Sequence, residues 1–165
     1  MVVHGIFELL RRQPGEATLR CWSGWERIPL VGVQPLAAAA ENGHLEAVQW
    51  LRYNRVPWDA ETCALAAAKG HLEVLKWARE NGCKWDTRAP ANAAKNGHLE
   101  VLEWLRENLC PWDESSCEQA VMGGHLDVLK WLRANGCPWR FTACWNLARQ
   151  HQPHILSWLK KEKQA

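Results

Sequence analysis

The stretch AAKNGHLEVLEWLRENLCPWD, residues 93–113, recurs in altered form on both sides of itself. The segment 66–86 upstream reads AAAKGHLEVLKWARENGCKWD, and the segment 120–139 downstream reads AVMGGHLDVLKWLRANGCPW. Four sets of residues keep the same 27-residue period: Gly-His at 43–44, 70–71, 97–98 and 124–125; Trp at 50, 77, 104, 131 and 158; Trp at 58, 85, 112 and 139; and Cys at 83, 110 and 137. Because these four sets of residues share one register, the chain contains an internal repeat with a 27-residue unit.

Each unit carries the pattern of two helices separated by a tight turn. In HLEVLKWAREN, residues 71–81, the apolar residues form one stripe at helical spacing, and Glu73, Lys76 and Glu80 fall on the opposite face. The shorter alanine-rich segment before it, ETCALAAAKG at 61–70, predicts a first helix whose small side chains allow close packing. The unit therefore predicts a first helix, a turn, a second helix and a short loop, with no strand.

Glycine and aspartate mark the ends of the predicted first helix. Glycine adopts the left-handed conformation at a helix C-terminus at little cost, and an aspartate before a helix accepts hydrogen bonds from free N–H groups. These positions are Gly70, Gly97 and Gly124 at one end and Asp59, Asp86 and Asp113 at the other. We expect each aspartate cap to contribute about 1 kcal/mol to stability.

So short a unit cannot bury the apolar faces of both its helices, so neighbouring units must cover them. The sequence thus predicts an all-α, helix-turn-helix repeat solenoid of about five repeats over residues 33–160. The regular tryptophan columns are expected in its core. Residues 1–32 keep no register and predict an irregular helical N-terminal cap, and residues 161–165 predict a polar tail.

The repeat resembles the ankyrin repeat family. The pattern AA-x-x-GHLEVLKWL-x-x-NG is similar to the ankyrin core of paired alanines, a Gly-His step, an amphipathic second helix and a closing Asn-Gly. The unit is shorter than the usual ~33 residues, and the Thr-Pro-Leu-His signature is replaced by ETCALA, RAPANA and SSCEQA. The missing segment normally forms a projecting β-hairpin finger. The resemblance therefore implies a short 27-residue variant with the finger reduced to a loop.

The charge balance and the apolar runs exclude several classes of protein. With 20 basic and 18 acidic residues the net charge is +2, and the charges are interleaved, whereas nucleic-acid binding requires a concentrated basic face. The longest uncharged run, 28–40, is too short to span a bilayer. The N-terminus carries charge where a signal peptide has its apolar run, and seven cysteines fit a reducing compartment. We expect a cytoplasmic monomer that binds neither nucleic acid nor membranes.

No residue cluster in the sequence indicates catalysis. Nucleophile-elbow, Walker A and zinc-protease motifs are missing, and the histidines after the glycines recur with the unit, which argues against a single active site. We expect these histidines to brace the turns by hydrogen bonds; a proton relay or a metal ladder is the alternative. The cysteines form no C-x₂-C pair and are expected to be buried free thiols, with a metal site, a disulfide or a redox sensor as alternatives. The sequence predicts no enzyme, cofactor or metal.

The resemblance implies that the first helices line the concave face on which ankyrin repeats bind partners. Equivalent first-helix positions form three rows along the repeats: Ala37, Ala64, Ala91, Glu118 and Trp145; Ala38, Leu65, Asn92, Gln119 and Asn146; and Glu41, Ala68, Lys95, Met122 and Arg149. The rows change from small residues to large and polar ones toward the C-terminus. We therefore predict a partner-binding site at Glu118, Gln119, Met122, Trp145, Asn146, Arg149, Lys95 and Asn92. Trp145 is either packed under the end of the solenoid or an exposed anchor.

The predicted function is a non-enzymatic scaffold for protein–protein interaction that binds a partner protein on the concave face of the array. The alternative is the substrate-recognition part of an adaptor, for example of a ubiquitin ligase, that docks through residues 1–32. The first hypothesis requires only the variable first-helix residues, whereas the second requires a docking helix in the N-terminal segment.

Overall fold

The computed structural model describes residues 35–163 of the chain. The predicted cap at 1–32, and with it the docking segment of the adaptor hypothesis, lies outside the described residues. The helices of the described range are α1 (Pro35–Glu41), α2 (Leu45–Tyr53), α3 (Ala60–Ala68), α4 (Leu72–Glu80), α5 (Arg88–Lys95), α6 (Leu99–Glu107), α7 (Glu114–Gly123), α8 (Leu126–Ala134), α9 (Phe141–His151) and α10 (Pro153–Glu162).

The helices form two layers. The odd-numbered helices are the first helices of the units, and each packs against the first helix of the next unit. Each even-numbered helix is a second helix that packs on the first helix of its own unit. This arrangement confirms the all-α repeat solenoid. Residues 35–163 contain no β-strand, and short loops such as 54–59 and 108–113 connect the units where a finger would project.

The predicted caps form at the starts of the first helices. The carboxylate of Asp59 accepts a hydrogen bond from the backbone N–H of Glu61 at 3.0 Å. Asp86 and Asp113 accept the same bond from the residue two positions ahead. The glycines after the first helices have left-handed backbones, with φ of 75° at Gly70, 78° at Gly97 and 81° at Gly124. Local chemistry therefore sets both ends of these helices, as the sequence predicts.

The core is made of small and aliphatic side chains. Val74, Leu75 and Ala78 of α4 are buried, and so are most alanines of the first helices. The expectation that the tryptophans form this core is wrong for the described residues, because those tryptophans are only half-buried and pack against its outer side. Closely packed helices rich in alanine leave too little space between them for an indole ring.

The tryptophans instead link successive units through a repeated contact with arginine. The guanidinium of Arg79 lies 4.3 Å from the centre of the Trp85 ring, and that ring meets Trp104 of the next unit edge-on at 5.7 Å. The same pattern holds for Arg52, Trp58 and Trp77 and for Arg106, Trp112 and Trp131. Arg133 lies over Trp139 in the same way, but the Trp139 and Trp158 rings are tilted by 51° and lie 6.5 Å apart. The indoles thus form a layer between the core and the arginine side chains.

The histidines brace the turns, as predicted, and their partners lie in the preceding unit. The Nε2–H of His71 donates to the carbonyl of Glu41 at 3.1 Å. In the last unit Gln152 stands in the histidine position, and its amide donates to the carbonyl of Met122 at 3.3 Å. His154 donates to the carbonyl of Gly124 at 3.0 Å. Pro153 occupies the first turn of α10, and that helix runs to Glu162, two residues past the predicted end of the solenoid at 160.

Candidate functional site

The predicted site residues lie on the layer of first helices, in α5, α7 and α9. Two belong to α5, three to α7 and three to α9: Asn92 and Lys95; Glu118, Gln119 and Met122; and Trp145, Asn146 and Arg149. Four of them are exposed, namely Lys95, Met122, Asn146 and Arg149, and the other four are half-buried. Adjacent first helices pack together, so the stacking brings the eight residues onto three neighbouring elements.

One row of the site alternates cationic and apolar side chains. Lys95, Met122 and Arg149 occupy equivalent positions near the C-terminal ends of their helices. Met122 is 45% exposed, so its thioether side chain is accessible to a partner. Within residues 35–163, no carboxylate lies within ion-pair distance of Lys95 or Arg149. Both charges therefore remain available to an external group.

The second row carries side-chain amides. Asn92 donates to the carbonyl of Ala64 at 3.3 Å, so one of its two amide hydrogens is used within the fold. The amides of Gln119 and Asn146 have no hydrogen-bond partner among the described residues. An amide offers both donors and an acceptor. This row can therefore bind the N–H or C=O groups of another chain.

Glu118 is held by a neighbour that sequence reasoning missed. The Nε–H of Arg140 donates to the Glu118 carboxylate at 3.0 Å, and the same Nε lies 3.6 Å from Glu114. The positive charge of Arg140 therefore compensates the negative charges of Glu118 and Glu114. The sequence does mark Arg140 as unusual, because it occupies the position at which the earlier units have the helix-capping Asp59, Asp86 and Asp113.

Trp145 combines the two roles considered for it. Its ring packs against the core and lies 5.8 Å from the ring of Phe141, while the ammonium of Lys163 lies 5.8 Å from its centre. The residue is half-buried, so part of the indole stays accessible. The earlier members of this row, Ala37, Ala64 and Ala91, are buried. That row therefore offers no continuous surface and contributes only at its C-terminal end.

The described cysteines are buried free thiols. Burial, together with the nearby Asp86, raises the pKa of Cys110 to about 12, and burial with the nearby Glu118 raises the pKa of Cys144 to about 11. A hydrogen bond with Cys83 and burial raise the pKa of Cys63. The thiols of Cys63, Cys110 and Cys144 therefore stay protonated at neutral pH and are poor nucleophiles. Among residues 35–163, no three His, Cys, Asp or Glu side chains come together as metal ligands.

Comparison with known proteins identifies the repeat. A family profile described as "Ankyrin repeats (many copies)" matches residues 63–106 and 91–133. A solved structure, the human ASB11 ankyrin repeat domain, superposes with a TM-score of 0.55 at 25% sequence identity over 63% of this chain. The match covers 55% of the length of that solved chain. None of the curated proteins compared with the chain matches it.

The comparisons agree with the arrangement of the described helices. Paired helices in two layers, a Gly-His step at four of the five turns and short loops between units fit both matches. Ankyrin repeats suggest a scaffold for protein–protein interaction, and the fold is generally a non-enzymatic interaction module. In the described residues no helix is long and apolar enough to cross a bilayer. Residues 63–133 are therefore ankyrin repeats, with a 27-residue unit and no β-hairpin finger between residues 35 and 163.

Proposed function

We propose that the chain binds a partner protein through its C-terminal patch, defined as Asn92, Lys95, Gln119, Met122, Asn146 and Arg149. The observation that carries this proposal is the row Lys95, Met122 and Arg149, in which an exposed apolar side chain lies between two cations with no internal partner in the described range. Binding of this kind works by surface complementarity and uses no cofactor. Glu118 and Trp145 flank the patch.

The chemistry of the patch supports a protein partner. Methionine is flexible and polarizable and adapts to irregular apolar surfaces. Side-chain amides complement peptide groups, and arginine is common in protein interfaces. The N-terminal half of the same layer differs, because Ala38 and Ala68 are small and Glu41 lies 3.5 Å from Lys69 in an ion pair. Recognition on this layer is therefore expected at the C-terminal units.

We also propose that the chain acts as a monomer in the cytoplasm. Its described cysteines are buried and unpaired, which suits a reducing compartment. The solenoid can present its patch from a single copy, because all six residues come from three adjacent units of one chain. Sedimentation and fluorescence microscopy of the tagged full chain test these two points directly.

The proposal is tested by capture of partners from the cells in which the chain is expressed. The patch variant carries Gln119→Ala, Met122→Glu and Arg149→Ala. The matched control variant changes residues outside the patch, with Glu103→Ala, Leu109→Glu and Lys130→Ala, all of which are exposed. Circular dichroism must show all three chains equally helical.

We expect a protein that is captured by the natural chain and by the control variant and lost by the patch variant. Equal capture by all three chains would contradict the proposed site. Capture that survives the patch variant and is lost when residues 1–32 are deleted would favour the adaptor hypothesis instead.

A further inference from the structure

We infer that the C-terminal patch recognises an acidic segment in the polyproline II conformation, with acidic, apolar and acidic side chains at every third residue. The inference rests on the proposed function and adds the chemistry and conformation of the partner. It follows from three features of the patch: its charge, its spacing and its free amides.

The charge of the C-terminal unit favours an acidic partner. Residues 140–163 contain five basic side chains, Arg140, Arg149, Lys160, Lys161 and Lys163, and one acidic side chain, Glu162. Within the patch itself Lys95 and Arg149 are exposed and lack an ion-pair partner in the described range. Glu118, the one carboxylate among the predicted site residues, is already bonded to Arg140. An incoming carboxylate thus meets two available cations.

The spacing of the patch residues matches polyproline II better than other backbone conformations. Packed helices lie about 8–10 Å apart, so equivalent residues of α5, α7 and α9 repeat at roughly that distance. A polyproline II segment has three residues per turn and rises about 9.3 Å per turn. Its side chains at i, i+3 and i+6 therefore face Lys95, Met122 and Arg149 in succession. Successive side chains on one face repeat about every 6.4–6.8 Å along a β-strand and about every 5.4 Å along an α-helix, and both distances are shorter than the spacing of the units.

The amide row supplies hydrogen bonds that this conformation can accept. A polyproline II backbone has no internal hydrogen bonds, so its carbonyl groups are free. Gln119 and Asn146, whose amides have no partner in the described part of the chain, lie one unit apart, at the same spacing as the charged row. Each can donate to one carbonyl per turn of the segment. A single-stranded nucleic acid, by contrast, would need exposed aromatic rings between the cations for its bases to stack on, and the patch has Met122 at that position.

The inference is tested with labelled synthetic peptides and fluorescence anisotropy on the full chain. The probe is Glu-Pro-Pro-Leu-Pro-Pro-Glu flanked by Gly-Ser. One comparison peptide shortens the spacing to Glu-Pro-Leu-Pro-Glu, a second replaces both glutamates by lysine, and a single-stranded oligonucleotide tests nucleic acid. We expect saturable binding of the probe, at least about tenfold tighter than that of the other three. No binding of the probe, equal binding of the short-spaced peptide, or tighter binding of the oligonucleotide would overturn the inference.

Reversing the charges of Lys95 and Arg149 tests whether these two cations bind the peptide. Lys95→Glu and Arg149→Glu together should weaken the probe by about fivefold or more and should reverse the preference, so that the lysine peptide binds better. The matched control is Lys130→Glu on the second-helix layer, which should change neither affinity. An unreversed preference in the exchanged variant would contradict recognition by these residues. If the probe peptide does not bind but the patch variant still fails to capture the partner protein, the inference about the peptide is wrong and the proposed function is supported.

Discussion

The Nε2 of His98 lies 3.2 Å from the carbonyl oxygen of Ala68 in the preceding unit. The same imidazole covers Gly70, where a Cβ atom would lie 2.8 Å from Nδ1 of the ring. Gly70 also has a φ of 75°, which favours glycine over any residue with a side chain. The Gly-His step therefore recurs because the glycine of one unit and the histidine of the next interlock.

A double-mutant cycle tests this contact. His98→Ala should cost about 1 kcal/mol of unfolding free energy, because the partly buried carbonyl of Ala68 loses its donor. Gly70→Ala should cost about 2 kcal/mol from the left-handed backbone and the close ring. In the double variant the ring that the added methyl group would touch is gone, so the total should fall short of the sum by about 1 kcal/mol. Urea unfolding followed by circular dichroism gives all three values, and additivity within error would contradict the interlocking.

The helices and their order could be predicted because they depend on local chemistry. The period is visible in the sequence, and the ends of the first helices follow from the preferences of aspartate and glycine for helix termini. The partners of the histidines could not be read in the same way. His71 bonds to Glu41, which belongs to the preceding unit, and only the stacking of units brings these two together.

The tryptophan columns, and the row that runs from Ala37 to Trp145, show that the size of a side chain does not predict whether it is buried. A large apolar residue at a fixed position suggests the core, yet Trp85 lies outside it, between Arg79 and Trp104. Whether a position lies between two helices or beside them depends on their packing, which the period alone does not specify. For the same reason Ala64 and Ala91 are buried although they share a row with the half-buried Glu118.

Leu109 has an unfavourable backbone that glycine would relieve. Its φ is 59° and its side chain is 82% exposed, whereas the equivalent Gly82 and Gly136 have φ of 84° and 78°. A left-handed backbone costs a residue with a side chain about 1–2 kcal/mol. Replacement by glycine removes this cost but also increases the conformational entropy of the unfolded chain, which offsets part of the gain. We expect Leu109→Gly to stabilise the chain by about 0.5–1 kcal/mol. The reciprocal Gly82→Leu should destabilise it; a lower melting temperature for Leu109→Gly would contradict the argument.

Ser116 carries a hydroxyl that is buried without a hydrogen-bond partner. The side chain is fully buried in α7, and the equivalent residue of α5 is the buried Ala89. Burying an unpaired hydroxyl costs about 1–3 kcal/mol, part of which alanine would recover. We expect Ser116→Ala to raise the unfolding free energy by about 1 kcal/mol and Ala89→Ser to lower it. Loss of stability in Ser116→Ala would indicate that the hydroxyl is bonded after all.

The arginine–tryptophan contacts should contribute unequally to stability. Arg106 lies 4.4 Å from the centre of the Trp112 ring, and its guanidinium makes no hydrogen bond to the described residues. Arg133 lies 4.3 Å from Trp139 and also donates to the carbonyl of Cys137 at 3.2 Å. Arg106→Met keeps the aliphatic stem and should cost about 0.5–1 kcal/mol. Arg133→Met should cost about 1 kcal/mol more, since a hydrogen bond is lost as well; equal costs in thermal unfolding would contradict this difference.

The buried thiols should make the fold sensitive to alkaline pH. In the unfolded chain a thiol has a pKa of about 8.5, whereas the folded chain holds Cys110 near 12 and Cys144 near 11. The folded state therefore binds more protons between these values. The stability that these two thiols contribute is fully present below about pH 8.5 and is lost as the pH rises through the folded pKa values.

The measurement uses the variant Cys21→Ser, which leaves only the six described thiols. At pH 8 in buffer these should react with a thiol reagent far more slowly than in urea, because they are buried. Urea-unfolding midpoints should then fall steadily from pH 8.5 to pH 11, and the fall should be smaller once Cys110→Ala and Cys144→Ala are added. Rapid labelling of the folded chain at pH 8 would contradict the burial of the thiols. Midpoints that are independent of pH over this range would contradict the raised pKa values of Cys110 and Cys144.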